Sequence, residues 1–162
     1  VNLLFTDTDS LCYHFKGFDI FDFMKSNKKH FDLSDYPKDH VLYCPDNKKV
    51  IGKFKNETSE KQIIEFIGLR PKLYSFKTDE GKEKKTCKGV KKYAVKSKIN
   101  LDDYRNTLYT HENKEITQNC ISSYGHEIFM ESVNKVALNC FDDKVFINDD
   151  NISCLSFGYK KK

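Results

Sequence analysis

Two apolar runs separated by five polar, turn-forming residues open the chain, and they constrain it more than any other feature: Leu3-Leu4-Phe5, then Thr6-Asp7-Thr8-Asp9-Ser10, then Leu11 to Phe15. Runs this short, rich in Leu, Phe and Tyr, read as two buried strands, and the Thr and Asp residues between them read as a hairpin turn. A local turn brings two carboxylates together. Asp7 and Asp9 on a rigid strand pair suit a hard divalent cation such as Mg²⁺ when phosphates and water supply its other ligands. An EF-hand loop is excluded, because Leu11 and Cys12 stand at the fifth and sixth positions, where an oxygen ligand and Gly are required.

Charge supplies the second constraint. Residues 48 to 98 hold 16 Lys and Arg against 6 Asp and Glu, while the rest of the chain holds 12 against 18, so a net charge of +4 conceals a strongly basic central window. Basic residues interleaved with Tyr and Phe are the expected footprint of a surface that follows a phosphate backbone, although a solvated Lys-rich loop has the same composition. The 162 residues, 38% hydrophobic with nine Tyr, thirteen Phe and no Trp, have room for one ordinary domain or two small ones. No apolar run is long enough to cross a bilayer, and no basic segment followed by an apolar one opens the chain. The expectation is an intracellular, non-secreted protein. Cys12, Cys44, Cys87, Cys120, Cys140 and Cys154 are far apart with no zinc-type spacing and read as reduced thiols, an even count also being compatible with disulfides in an extracellular chain. A start at Val1 rather than Met suggests a piece of a longer protein, and a trimmed protein complete in itself fits as well.

Further along, Asp19 is placed to cap a helix from Ile20 to about Asn27 that presents Ile20, Phe21 and Met24 on one face, toward the back of the hairpin. Asp32 to Pro37 reads as a polar turn closed by proline, and Tyr43 to Asn47 as a loop. Val50–Glu57 and Ile63–Leu69 read as strands around Thr58-Ser59-Glu60. If Arg70 to Phe76 is a strand, Lys72 and Tyr74 share a face while Leu73 points to the core. Such a pair offers an ammonium to a phosphate and a phenol to a sugar or groove edge. A Lys-rich segment covers Lys84 to Val90. Asn100 can cap a helix from Leu101 to about Tyr109, with Leu101, Tyr104 and Leu108 on one face. The remainder alternates as strands: Glu115–Ser122, Glu127–Leu138, Val145–Ile147 and Ile152–Phe157, the last two joined by a turn at Asn148–Asn151, before a frayed Lys160-Lys161-Lys162.

Phe5-Thr6-Asp7-Thr8-Asp9-Ser10 resembles motif C of family B DNA polymerases. Gly52-Lys53-Phe54-Lys55-Asn56-Glu57 resembles the Gly-Lys-x-Lys-x-Glu strand that follows it, and Lys72-Leu73-Tyr74 resembles the Lys-x-Tyr motif of the protein-primed members. The order of these parts, ending in the Lys-rich segment, is similar to the palm-to-thumb end of the polymerases of Polinton (Maverick) elements and related viruses. It is closest over residues 1 to 92.

The resemblance implies template-directed nucleotide addition to a 3′ hydroxyl. Asp9 would be the direct Mg²⁺ ligand, with Asp7 supporting it, in a two-metal site. Lys72 and Tyr74 would grip the primer, and Lys53, Lys55, Lys84, Lys85 and Lys88 would contact DNA. The implied partners are primer-template DNA, deoxynucleoside triphosphates and a terminal protein primer, with no membrane. Nothing in the chain matches motif A, the nucleotide-binding helix of motif B or the proofreading motifs. Asp32 to Pro37 only superficially resembles motif A, one residue short in spacing and on the wrong side of motif C. The missing partner carboxylate would lie upstream, so the chain by itself is expected not to polymerise. The expected fold class is α+β: an antiparallel palm hairpin carrying Asp-Thr-Asp within residues 1 to 75, then a small β-rich thumb with a short helix in residues 76 to 162.

Two other readings stay open. One is a non-catalytic nucleic-acid-binding module, separated from the enzyme by whether an upstream reading frame encodes motifs A and B. The other is a haloacid dehalogenase-type phosphatase with Asp7 as nucleophile, Asp9 as acid/base and Asp142-Asp143 as a late acidic motif; Leu11 and the lack of an alternating βα pattern speak against it.

Overall fold

The computed structural model describes residues 1–141, 145–150 and 153–156, with 18% helix and 41% strand. Asp142-Asp143, the residues Asn151, Ile152 and Phe157, and the terminal lysines lie outside the described residues. The chain is α+β and its sheets pair antiparallel, apart from one two-residue parallel contact. It forms two compact units: residues 1–64 with 78–82, and residues 65–77 with 83–162. The turn at 78–82 belongs with the first unit.

In the first unit, β1 (Asn2–Asp7) and β2 (Ser10–His14) form the expected hairpin, with Asp7 opposite Ser10 and a bulge between Leu3 and Phe5. The strands are not buried, however. Leu3, Leu4, Leu11 and Tyr13 are 39–52% exposed, and Cys12 is the hairpin's buried residue. Among the described residues this sheet has two strands, and a lone hairpin cannot cover both of its faces.

Helix α1 (Ile20–Ser26) starts where expected, because the Asp19 carboxylate accepts the Phe21 and Asp22 amides. Its apolar face joins a small core of Met24, Leu33, Tyr36 and Leu42, with Ile20, Phe21 and Phe31 at the margin, instead of the expected back of the hairpin. A single 3₁₀ turn, Lys28–His30, leads into β3 (Phe31–Asp32), which pairs in parallel with β4 (Phe54–Lys55). The strand expected over residues 50–57 is therefore only two residues long; Gly52, at φ +82°, and the turn before it take up the rest.

Side chains rather than sheet ladders hold this region. Asn47 Nδ2 donates to the carbonyls of Lys28 (3.0 Å) and Phe31 (2.9 Å). Asn56 Nδ2 donates to Tyr36 Oη at 2.9 Å. Asp32 accepts the amides of Ser34 (3.0 Å) and Lys49 (2.9 Å), confirming the polar turn, and the Lys49 amide, followed by Ser34, holds its carboxyl below the usual range.

The second unit contains most of the β5-β6-β7 sheet: β5 (Ile63–Arg70), β6 (Leu73–Thr78) and β7 (Glu83–Cys87), with Ile63, Ile64 and Thr78 belonging to the first unit. Two helices follow, α2 (Lys92–Lys98) and α3 (Leu101–Thr110), then a long hairpin of β8 (Lys114–Tyr124) and β9 (Glu127–Leu138). A last antiparallel pair is formed by β10 (Val145–Ile147) and β11 (Cys154–Ser156), as the alternation there suggests.

The core of this unit gathers Ile67, Leu73, Ala94, Val95, Ile99, Leu101, Tyr104, Ile116, Ala137 and Leu138. Tyr104 is fully buried, and its hydroxyl donates to the Thr86 carbonyl at 3.0 Å. Thr107 completes the buried face of α3 where Leu108 was expected; Leu108 is 37% exposed. Helix α2 was not foreseen, because four lysines between positions 91 and 98 flank only two buried residues, Ala94 and Val95.

Helix α3 has a complete capping box: Asn100 Oδ1 accepts the Asp103 amide and Asp103 Oδ2 accepts the Asn100 amide, each at 2.9 Å. Asp103 also pairs with Lys114 Nζ at 3.0 Å, tying the helix start to β8. Replacing Asn100 with Ala is expected to destabilise the fold by about 1 kcal/mol. Asp103→Ala should cost more, since it removes the reciprocal cap and the lysine contact together. Urea denaturation followed by circular dichroism measures both.

Candidate metal centre and nucleic-acid interface

The tip of the first hairpin is a two-residue turn. Asp7 closes β1, Ser10 opens β2 opposite it, and Thr8-Asp9 bridges them. Alternation places Asp7 on the same face as Phe5, with Cys12 opposite Phe5; Asp7 is accordingly half-buried, whereas Asp9 is exposed in the turn. Thr8 Oγ1 lies 3.3 Å from Asp7 Oδ1 and donates to it.

Thr8 has φ +60°, the left-handed region. Gly, Asn or Asp ordinarily occupies such a turn position, and a β-branched residue there is an outlier costing on the order of 1–3 kcal/mol. Two carboxylates thus flank a strained residue at an open tip. They could contribute two ligands to a hard cation, and among the described residues no group of three His, Cys, Asp or Glu is arranged to hold a metal ion.

The expected nucleic-acid contacts divide differently from the sequence reading. Lys72 is not on a strand with Tyr74. Pro71-Lys72 forms the turn between β5 and β6, with Lys72 at φ +60° and exposed. Proline followed by a positive-φ residue is a turn signature, and Pro71 was the sequence signal that could have shown it. Tyr74 is buried, 7% exposed, because β6 is the central strand and Leu73 to Phe76 are covered on both faces; its ring lies 6.0 Å from that of Phe66. The expected side-by-side display of Lys72 and Tyr74 is thus corrected.

Lys53 and Lys55 are engaged within the first unit. Lys53 Nζ donates to the Lys29 carbonyl at 2.6 Å, and Lys55 Nζ pairs with Asp35 at 2.7 Å. Hydrogen bonding and charge at Asp35 raise the Lys55 pKa.

In the second unit the Lys-rich segment is strand β7 and the turn after it. Lys84 is exposed and its ammonium lies 5.7 Å from the centre of the Phe76 ring, whereas Lys85 is half-buried and donates to the Ile99 carbonyl at 2.5 Å. Lys88 is exposed beyond the strand, and its amide donates to the Lys72 carbonyl at 3.2 Å, which brings those two turns together.

Lys88, Lys92 and Lys96 then line an open groove of about 550 Å³ together with Val90 and Val95. Lys92 and Lys96 were missed because α2 was missed: positions i and i+4 of a helix share a face. Among the described residues these three lysines have no acidic partner.

All six cysteines are free thiols. Burial pushes the Cys87 thiol up to about 11, which disfavours the reactive thiolate, and its Sγ donates to the Ala137 carbonyl at 3.1 Å. His111 Nδ1 lies 3.2 Å from Cys140 Sγ, a contact that no sequence spacing foretold. No helix among the described residues is long and apolar enough to cross a membrane. Comparison with protein-family models, with curated proteins and with solved structures finds no match.

Replacing Thr8 with Asn, which tolerates the left-handed region, is expected to stabilise the chain by about 0.5–1 kcal/mol. Thermal denaturation of Thr8→Asn beside the parent measures it, and an unchanged or lower midpoint would show that Thr8 is not strained.

Proposed function

We propose that the chain is the motif C hairpin and thumb-like part of a family B DNA polymerase of the protein-primed type, acting in template-directed nucleotidyl transfer. The observation that carries this reading is the tip of the first hairpin, where Asp7 ends a strand, Asp9 stands exposed in a two-residue turn, and the residue between them is held at positive φ. Backbone outliers cluster at functional sites, so one set between two carboxylates supports reading the tip as such a site. Asp9 would be the direct Mg²⁺ ligand and Asp7 its half-buried support. The bound cation would lower the pKa of an attacking hydroxyl or stabilise a leaving oxygen. Two carboxylates hold such an ion weakly, so a further carboxylate, supplied from outside the described residues, belongs to this reading.

Primer-template DNA would follow the basic surface of the second unit, with Lys72, Lys84 and Lys88 joined by Lys92 and Lys96. Tyr74 would support that surface from the core rather than touch the sugar. Deoxynucleoside triphosphates and a terminal protein primer would be the remaining partners.

A non-catalytic nucleic-acid-binding module uses the same basic surface and leaves the strain at Thr8 without a role. The phosphatase alternative gains no support, since a parallel sheet built from βα units does not occur among the described residues.

Fluorescence anisotropy of a labelled primer-template, titrated at several salt concentrations, tests the DNA side of the proposal. Binding should weaken steeply with salt, and Lys88→Ala/Lys92→Ala/Lys96→Ala should lower the log-log slope by about 3, roughly one per lost phosphate contact. Asp7→Asn/Asp9→Asn should leave affinity essentially unchanged. A slope insensitive to the three lysines would overturn the assignment of that surface.

A further inference from the structure

The hairpin of β8 and β9 leaves the core of the second unit along its length. Ile116, Gln118, Ala137 and Leu138 are buried at its base, whereas Ile121, Tyr124, Ile128 and Met130 near its tip are 70–85% exposed. The register sets Ile121 opposite Met130 and Ser123 opposite Ile128, on one face of a two-stranded sheet.

Its outer edge is as open as that face. The turn Gly125-His126 has two residues, both at positive φ (56° and 66°), so Tyr124 and Glu127 form a doubly hydrogen-bonded pair and the even-numbered residues of β8 bond to β9. The odd-numbered residues turn their N–H and C=O groups outward. Helix α2 takes up the first part of this edge: Lys98 Nζ donates to the Thr117 carbonyl at 2.6 Å, and the Asn119 amide donates to the Tyr93 hydroxyl at 2.8 Å. Beyond Asn119 the backbone groups of Ile121 and Ser123 have no partner among the described residues. A groove of about 360 Å³ lies there, lined by Lys91, Tyr93, Asn119, Cys120, Ile121 and Met130.

Open edges are ordinarily guarded by charge, proline or a bulge. Strand β9 carries Glu127, Glu131 and Lys135, but β8 has no charged residue and no proline over the nine residues from Ile116 to Tyr124, and its register shift lies before them. Such an edge takes an added strand.

We propose that the distal edge of β8 is a self-association surface, on which two copies of the chain pair antiparallel about Ser122 in a four-stranded sheet of order β9-β8-β8-β9. A second copy fits because one two-fold operation satisfies both edges. Ile121 exchanges both hydrogen bonds with Ser123 of the second copy, and the reverse pair does the same. No charged side chain stands opposite another across the axis. Tyr124 comes opposite Cys120 of the second copy, at that copy's groove. On the outer face Met130, Ile121 and Ile128 of the second copy fall in one row across the sheet. This inference stands apart from the polymerase reading and needs neither DNA nor metal.

Sedimentation equilibrium of the reduced chain, without nucleic acid or divalent cations, tests it. The pairing covers few residues on each chain, so a dissociation constant on the order of 100 μM is expected, with monomer at about 5 μM and mostly dimer at about 1 mM. Ser123→Pro removes an outward amide and leaves the bonds to β9 in place, so it should stay monomeric throughout with an unchanged circular dichroism spectrum. Ile121→Lys, which sets like charges beside the axis, should do the same.

Ser122→Cys keeps the result independent of how either variant folds. Position 122 would face its own copy as a non-hydrogen-bonded pair, about 4.5 Å apart at Cα and within disulfide range, so mild oxidation should join the two copies at that position, as peptide mass spectrometry reads. A chain still monomeric at about 1 mM, a dimer that survives Ser123→Pro, or cross-linking that favours another cysteine would overturn the proposal.

Discussion

The second unit depends on one buried hydroxyl. A phenol with no exposed surface must find a hydrogen-bond acceptor, and Tyr104 finds it in the Thr86 carbonyl on β7. That bond sets how α3 lies on the β5-β6-β7 sheet. The Asn100–Asp103 box and the Asp103–Lys114 pair then fix where α3 begins and where the β8-β9 hairpin starts. Gln118, also buried, accepts the Lys91 amide on its side-chain oxygen just before α2. With the sheet and α2 held in this way, Lys88, Lys92 and Lys96 come to one groove.

The first unit is organised on the opposite principle. It has little sheet, and its fixed points are amide and carboxylate side chains that satisfy loop backbone: Asp32, Asn47 and Asn56 between them hold segments distant in sequence. Such ties do not bury apolar surface. The small core beneath α1 takes up four residues, while Leu3, Leu4, Leu11, Tyr13, Phe18, Phe23 and Phe54 stay open.

What could be read beforehand followed local physics. Asp19 and Asn100 announced their helices because a capping carboxylate or amide acts within three residues, and the hairpin at Asp7-Thr8-Asp9-Ser10 was legible from its turn formers. The long pair Lys114–Tyr124 and Glu127–Leu138 was legible from alternation.

The misreadings came from tertiary context. Nothing local reveals that β6 is a central strand, so Tyr74 was placed on the surface. Strand alternation was carried one residue too far across Pro71, so Lys72 was placed beside it. Helix α2 was hidden because its two buried residues sit among lysines. The burial expected for β1 and β2 needed covering elements that the residues 1–15 do not themselves contain.

The central claim, that the Asp7–Ser10 turn is a divalent-cation site, can be met directly by titrating Mn²⁺ into the isotopically labelled chain and following paramagnetic broadening of its amide resonances. The account predicts broadening centred on Asp7 to Ser10, displaced by excess Mg²⁺ and abolished by Asp9→Asn. Broadening centred elsewhere, or surviving that substitution, would contradict it.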